Sequence, residues 1–296
     1  LSHDILVDIV NRLAPMEGEN LTLVPLIKLY RHEESFRRRP YMYGPCICIV
    51  VQGRKRMYYG GIGNQDKFND YNPENYLINS VSLPIESDAY DLSVEEPFLA
   101  IQIDIDQSLA SKLVAEMDGD GAERKCSRDT ANNLDISLSS PMTPGLNAVV
   151  LRLLETLDDP VAAKILSPVI MYELYYEILC GPRGQLLRNC VAQDIYAHKI
   201  APLVHYIENN YNKTITIETL SALAGMSASS LYTKFKEATT MTPLQFIQNF
   251  RLHKARRLIL SGTSIGDASY AVGYNSPSQF SREFKRLFNQ SPSEIV

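Results

Sequence analysis

The chain has no run of roughly 18 apolar residues anywhere along its length, which excludes a membrane-spanning helix. Its first residues, Leu-Ser-His-Asp-Ile, lack the basic opening and apolar core of a secretion signal. They also lack an initiating Met, as a trimmed chain would, and a cytoplasmic location is expected. Histidine is scarce: only His3 and His32 occur in the first 190 residues, and neither sits in a His-x-His arrangement. Metal enzymes of small β-barrels use clustered His with a carboxylate, so no metal and no cofactor are expected. Five cysteines (Cys46, Cys48, Cys126, Cys180, Cys190) show no metal-like spacing and read as small buried hydrophobes in a reducing compartment. A nucleophile elbow, a phosphate loop and a paired catalytic carboxylate are also missing. Asp104 and Asp106 share one side of a strand, as solvated residues do. Enzymatic activity is therefore not expected.

Net positive charge is lacking too, at −5 overall, which alone argues against nucleic acid. The average hides an asymmetry. Residues 191–296 hold 11 Lys+Arg against 7 Asp+Glu, a balance of +4, leaving 18 against 27, or −9, for the rest. A basic end on an acidic body suits a DNA-binding module joined to something else.

The length of 296 residues fits more than one domain. Short β-branched runs fall at 21–30 (LTLVPLIKLY), 46–52 (CICIVVQ), 76–81 (YLINSV) and 98–104 (FLAIQID). Turn signals separate them: Gln52-Gly53, Gly60-Gly61-Ile62-Gly63-Asn64, Asn72-Pro73 and Leu83-Pro84. Several strands without intervening helices imply a sandwich or barrel over 1–108. Residues 109–190 read as mostly helical, with a helix at 108–117, a loop of weak structure at 118–144, and helices at 146–156 and 161–180. The last of these carries Ile165, Val169, Tyr172, Tyr176 and Leu179 at helical spacing. A stripe buried within the chain and a dimer seam both fit it. Gly181-Pro182-Arg183-Gly184 marks a joint. Residues 191–296 complete the α+β multidomain architecture with an all-α unit.

That unit contains one pattern twice, at about 216–239 and 264–289. The first copy runs Ile217-Glu218-Thr219-Leu220-Ser221-Ala222-Leu223-Ala224-Gly225-Met226; the second runs Ile265-Gly266-Asp267-Ala268-Ser269-Tyr270-Ala271-Val272-Gly273-Tyr274. Each is a short helix, a turn at glycine, and a serine (Ser227 or Ser276) capping a second helix. At about 100° per residue, Leu231, Phe235 and Ala238 fall on one side of the first such helix, and Phe280, Phe284 and Leu287 on the same side of the second. Opposite them lie Ser229, Tyr232, Thr233 and Lys236, and then Ser278, Ser281, Arg282 and Lys285. These polar, slightly basic faces are what a helix in a DNA major groove requires. A helix from Thr242-Pro243 to about Ser261 separates the two units. Its roughly 20 residues span about 30 Å, close to the ~34 Å between successive major grooves on one side of the duplex.

The stretch Ala268-Ser269-Tyr270-Ala271-Val272-Gly273-Tyr274-Asn275-Ser276-Pro277-Ser278-Gln279-Phe280-Ser281-Arg282-Glu283-Phe284-Lys285-Arg286-Leu287-Phe288, ending at Ser291-Pro292, closely resembles the second helix-turn-helix of AraC/XylS-type transcriptional regulators. Leu220, Ala224-Gly225-Met226-Ser227, Leu231, Phe235, Thr242-Pro243, Arg251-Leu252 and Ala255 match the first unit and the connecting helix of that family. Cys48-Ile49-Val50-Val51-Gln52-Gly53 and the strand over 98–106 resemble its cupin-like amino-terminal barrel. The resemblance implies DNA contacts from Ser229, Tyr232, Thr233, Lys236, Ser278, Gln279, Arg282 and Lys285, with double-stranded DNA as partner. Arg282 suits a bidentate grip on guanine, and Lys236 and Lys285 suit phosphates. It further implies a transcriptional activator that engages RNA polymerase, works as a homodimer and is switched by a small-molecule effector in the barrel. Candidate effector walls are Ile47, Ile49, Val51, Tyr58, Ile101 and Ile103, with the inward face left open. Arg37-Arg38-Arg39 fits either an anionic effector or, with more weight, a solvated basic run. A ligand-independent regulator whose amino-terminal part only dimerises is the alternative.

Departures from the family pattern are local. Thr240 and Asn289 stand where glycine usually follows each recognition helix, and Ala268-Ser269 replaces a bulkier pair. Asparagine tolerates a left-handed cap; threonine does so poorly.

Overall fold

A computed structural model describes residues 2–58, 68–119, 137–191 and 200–295. The glycine-rich turn signal at 60–64, Cys126 and His198 lie outside them. Helix α1 (Ser2–Leu13) precedes nine strands: β1 (Gly18–Leu21), β2 (Ile27–His32), β3 (Phe36–Tyr43), β4 (Cys46–Gln52), β5 (Lys55–Tyr58), β6 (Phe68–Tyr71), β7 (Asn75–Asn79), β8 (Leu83–Ala89) and β9 (Phe98–Asp104). Helix α2 (Gln107–Gly119), strand β10 (Ser137–Pro141) and helices α3 (Pro144–Glu155), α4 (Pro160–Cys180) and α5 (Gly184–Val191) follow. The strands form two antiparallel sheets, β1-β2-β9-β4-β7-β10 and β3-β8-β5-β6. β10 falls in the segment expected to be a weak loop; it pairs with β7, Leu138 opposite Ile78.

The larger sheet is buried on both faces. Ile27, Leu29, Ile47, Ile49, Val51, Leu99, Ile101 and Ile103 pack against Leu6 and Val10 of α1, Leu146 and Leu153 of α3, and Leu174 and Tyr175 of α4. Their strand neighbours Val50, Phe98 and Ala100 face the smaller sheet, joining Met57, Leu83 and Ile85. The barrel and the helices that follow it therefore share one core, and the expected division at 108 cuts through it.

The last third holds α6 (Ala201–Asn210), α7 (Ile217–Ala224), α8 (Ala228–Thr239), α9 (Pro243–Leu260), α10 (Ile265–Ala271) and α11 (Pro277–Phe288). Leu220, Leu231, Phe235, Phe246 and Phe250 close the first unit. Ala268, Val272, Phe280, Phe284 and Leu287 close the second around Leu252, Ala255 and Ile259. Helix α9 thus lends one stretch of its length to each core. Its start is fixed by a reciprocal cap: Gln245 N–H donates to Thr242 Oγ1 at 3.3 Å, and Thr242 N–H donates to Gln245 Oε1 at 3.0 Å. Strand β3 packs against α9 and α11, so the smaller sheet meets the helical unit directly.

Candidate DNA interface and barrel interior

Each helix-turn-helix is built by the same local devices. Thr216 and Ser264 cap α7 and α10 through Thr219 N and Asp267 N. Gly225 (φ 58°) and Gly273 (φ 88°) then turn the chain in the left-handed region that glycine enters without penalty. A Cβ at Gly273 would also lie 2.8 Å from the Asn212 carbonyl oxygen. Ser227 and Ser276 accept from Ser230 N and Gln279 N, opening the recognition helices α8 and α11.

With those ends fixed, burial sorts the two helices as the spacing requires. Leu231, Phe235, Phe280 and Phe284 are fully buried. Ser229, Thr233, Lys236, Ser278, Gln279, Arg282 and Lys285 are exposed, and Tyr232 and Ser281 are half-buried at the edges of their faces. Gln279 is engaged: its amide donates to Glu283 Oε1 at 2.9 Å, while the Tyr274 hydroxyl donates to Glu283 Oε2 at 2.6 Å. Burial works against that carboxylate, but these bonds and one from Gln248 outweigh it and hold the group below its usual range.

The two units are fastened through α9. Arg251 donates from Nε to the Tyr211 carbonyl at 2.7 Å and from its terminal nitrogen to the Lys213 carbonyl at 2.8 Å. This same guanidinium lies against Gly273. A cleft of about 420 Å³ opens beside it, lined by Leu244, Gln248, Arg251, Tyr274, Asn275 and Gln279. The 18 residues of α9 set a length of about 27 Å between the units.

Both departures at the caps adopt the left-handed conformation, which asparagine tolerates well and threonine poorly. Thr240 sits at φ 64° and Asn289 at φ 56°, both left-handed. Ala268 and Ser269 are fully buried, and the Ser269 hydroxyl has no hydrogen-bond partner.

In the barrel the candidate effector walls need correction. Ile47, Ile49, Val51, Ile101 and Ile103 turn away from the space between the sheets and pack on α1, α3 and α4. Tyr58 is also on an outer face, where its hydroxyl donates to Asp88 Oδ2 at 2.7 Å and the Arg38 guanidinium lies 3.5 Å from its ring centre. The reason is physical: both faces of the larger sheet are apolar, so alternation alone carries no sign. The residues that do line the interior include Tyr30, Tyr43, Cys48, Val50, Lys55, Met57 and Phe98. Of the arginine run, Arg38 pairs with Glu86 at 3.1 Å on the outer face, and Arg39 lies over the Phe36 ring at 4.2 Å on the inner one. His32, buried, meets Glu17 at 2.7 Å through Nδ1 and packs on Phe36 and Phe98.

This arrangement has counterparts. The family model for the AraC-type transcriptional regulator N-terminus matches residues 23–186, more than half of the chain, and a helix-turn-helix domain model matches residues 220–296. The chain belongs to the AraC-type transcriptional regulators. Among curated relatives of this regulator, the lactose operon transcription activator of Staphylococcus xylosus is 26% identical over 147 residues, covering 49% of this chain and 53% of its own. The transcriptional activator RhaS of Yersinia pestis is 30% identical over 114 residues, covering 38% of this chain and 42% of its own. The matched stretches thus span about half the length of these relatives. Two structures of ToxT from Vibrio cholerae share the fold. An apo variant covers 94% of this chain and 98% of its own at 15% identity and TM-score 0.59. A form bound to an unsaturated fatty acid covers 94% and 96% at 14% identity and TM-score 0.57.

Among the described residues no helix is long and apolar enough to cross a membrane. Helix α4, though, is apolar on two sides. Ile170, Met171, Leu174, Tyr175, Ile178 and Leu179 are buried in the sheet-facing core. Val161, Ile165, Val169 and Tyr176 are 64%, 60%, 66% and 48% exposed, with Tyr172 half-buried between them. The stripe read from the sequence is thus open at Ile165, Val169 and Tyr176, while Tyr172 packs against the chain's own core and Leu179 lies within it.

Proposed function

We propose that this regulator reads a specific duplex site with α8 and α11 and activates transcription from it, working as a regulator and not as an enzyme. The observation that carries the reading is the matched pair of exposed polar faces, Ser229–Lys236 and Ser278–Lys285, each backed by buried phenylalanine and mounted on one capped helix. Arg282 is the base-reading residue, through paired bonds to guanine O6 and N7. Lys236 and Lys285 hold phosphates, and Ser229, Tyr232, Thr233, Ser278, Gln279 and Ser281 complete the surface. The activator names of the lactose operon and RhaS relatives support activation, and with it a contact to RNA polymerase.

The regulator pairs with a second copy through the open side of α4. Positions 161, 165, 169, 172 and 176 recur at the spacing of a helix–helix seam, and four of the five are large, apolar and exposed. A small-molecule effector occupies the space between the sheets and biases how the pair presents its helical units. The fatty-acid-bound form of ToxT supports control by a small-molecule effector. A ligand-independent dimeriser remains the second reading. Cutting at residue 108 would strip α3–α5 of their sheet, so the full chain is the material for the test.

That test starts from duplexes selected by the protein out of a random pool. Arg282→Ala is expected to lose about 1–3 kcal/mol on the selected site and to relax the preference at one base position. Lys285→Ala is expected to weaken all sequences about equally and to reduce the slope of log affinity against log salt by about 1. Equal affinity of the wild type for selected and scrambled duplexes sinks the reading.

A further inference from the structure

Two thiols meet on the barrel wall. Cys46 and Cys48 lie two residues apart on β4, so both side chains leave the same face of the strand, and their sulfurs are 3.7 Å apart. Cys46 is fully buried, whereas Cys48 keeps accessible surface. Asn79, fully buried, sits opposite Cys46 on β7 and donates its amide N–H to the Cys46 sulfur at 3.7 Å. The Oδ1 of that same amide has no hydrogen-bond partner among the described residues. A buried acceptor beside the thiol pair is thus left waiting for a donor. Neighbouring polar groups are already engaged. Asp104, across β4 from Cys46, is held by Lys28 at 3.1 Å and by the Gln102 amide at 2.8 Å. Cys190 donates to the Leu186 carbonyl oxygen of its own helix at 3.3 Å.

The strand decides what can join the two sulfurs. Cys46, Ile47 and Cys48 are paired on one side with Asn79, Ile78 and Leu77 and on the other with Asp104, Ile103 and Gln102. Alternate residues of a strand held this way lie about 6.6–6.8 Å apart at Cα, the far limit for a disulfide. Closing the sulfurs to about 2.05 Å would pucker β4 and break both ladders. A bridge through one shared atom needs no such movement. Two sulfurs each about 2.3 Å from it, at an angle between roughly 100° and tetrahedral, are about 3.5–3.8 Å apart. A four-coordinate metal would need further ligands, and among the described residues no group of three or more His, Cys, Asp and Glu gathers to hold one. It would also need both thiols ionised, and the bond with Cys48 and burial push the Cys46 thiol up. A trivalent element that condenses with neutral thiols meets neither obstacle.

We propose that Cys46 and Cys48 together capture a neutral trivalent arsenic hydroxide of the arsenous acid class, whose remaining hydroxyl donates to Asn79 Oδ1. Two S–H and two As–O bonds break and two As–S bonds form, and each thiol proton leaves with an arsenic-bound hydroxyl as water. Arsenic stays trivalent, nothing is oxidised or reduced, and the product carries no charge into the sheet. Cys48, the accessible thiol, reacts first, and Cys46 closes the ring from contact distance. The bound group adds one bridging atom and one hydroxyl, so it occupies the open side of Cys48 and needs no enclosed cavity. The chelate draws on nothing in the helical unit and stands whether or not a separate effector binds.

The test uses the purified, fully reduced full chain under argon, titrated with sodium arsenite at neutral pH and followed by native mass spectrometry and arsenic K-edge absorption. Saturation at one arsenic per chain is expected, with coordination by two sulfurs and one oxygen. Cys46→Ser and Cys48→Ser should each weaken binding at least tenfold, and Asn79→Ser severalfold. A chain carrying Cys126→Ser, Cys180→Ser and Cys190→Ser should bind as the wild type does. The absorption measurement is made on the wild type, so it decides the matter even where a β4 variant fails to fold. No saturable binding, coordination by three sulfurs, undiminished binding by Cys48→Ser, or loss of binding in the folded triple variant overturns the assignment.

Discussion

Lys55 on β5 is buried, its ammonium donates to the Tyr43 hydroxyl at 2.9 Å, and among the described residues it is in no ion pair; exchanging it for methionine keeps a linear apolar stem in the barrel and deletes that charge. The amine sits at about 8 against an ordinary 10.5, a difference worth about 3 kcal/mol at about 1.4 kcal/mol per unit. For a base whose folded value is depressed, the unfolded chain binds the proton more readily. The cost to the folded state is therefore full below about pH 8 and gone above about pH 10.5. Tyr41 and Tyr43 are raised by burial, and Cys46 by its bond with Cys48 and by burial, so all three stay protonated across that window. The difference in unfolding free energy between the variant and the wild type should therefore shrink by about 2 kcal/mol between about pH 7 and 9.5. Urea unfolding of ligand-free protein followed by circular dichroism reads it, since the chain has no tryptophan to report by fluorescence. A gap that is constant or widens as pH rises would refute the account of Lys55 as a buried, uncompensated cation.

Other substitutions probe other parts of the molecule. Thr240→Gly relieves a left-handed threonine and should raise stability by about 1 kcal/mol in the same unfolding assay. Ser269→Ala removes a buried hydroxyl without a partner and should be neutral or stabilising by about 1 kcal/mol. Gly273→Ala forces a Cβ to 2.8 Å from the Asn212 carbonyl oxygen. It should cost more than about 1 kcal/mol and reduce affinity for the selected duplex, while a duplex carrying only the site of α8 is bound as before. Ile165→Lys with Val169→Lys places two charges on the open face of α4, and sedimentation should show the chain shifted to monomer without loss of helix content.

The helical third was legible because its signals are local. Ser227 and Ser276 cap, Gly225 and Gly273 turn, and Leu231, Phe235, Phe280 and Phe284 recur at offsets set within a dozen residues. Strands β4 and β9 were legible for the same reason, as short β-branched runs. Strand β3 was not, since FRRRPYMY hides alternate inward side chains among arginines and a proline. Strand β8 was obscured because Leu83-Pro84 reads as a turn, whereas Pro84 pairs opposite Met42. The effector walls failed on a deeper ground. A sheet covered by helices on one face and by another sheet on the other offers two apolar sides, and only long-range packing says which is which. The burial of Lys55 among Tyr41, Tyr43 and Phe98 belongs to that same long-range class: it joins β5 to β3 and to β9, more than 40 residues on.

Arg251 bolts the lead-in to the first unit onto the connecting rod, and Gly273 lets the second unit close against the same place. The pair behaves as a single gauge block with a fixed step. A promoter can change letters under either unit and lose affinity gradually. Inserting one or two base pairs between the half-sites leaves the protein no hinge with which to follow, so the spacing is held more strictly than the sequence.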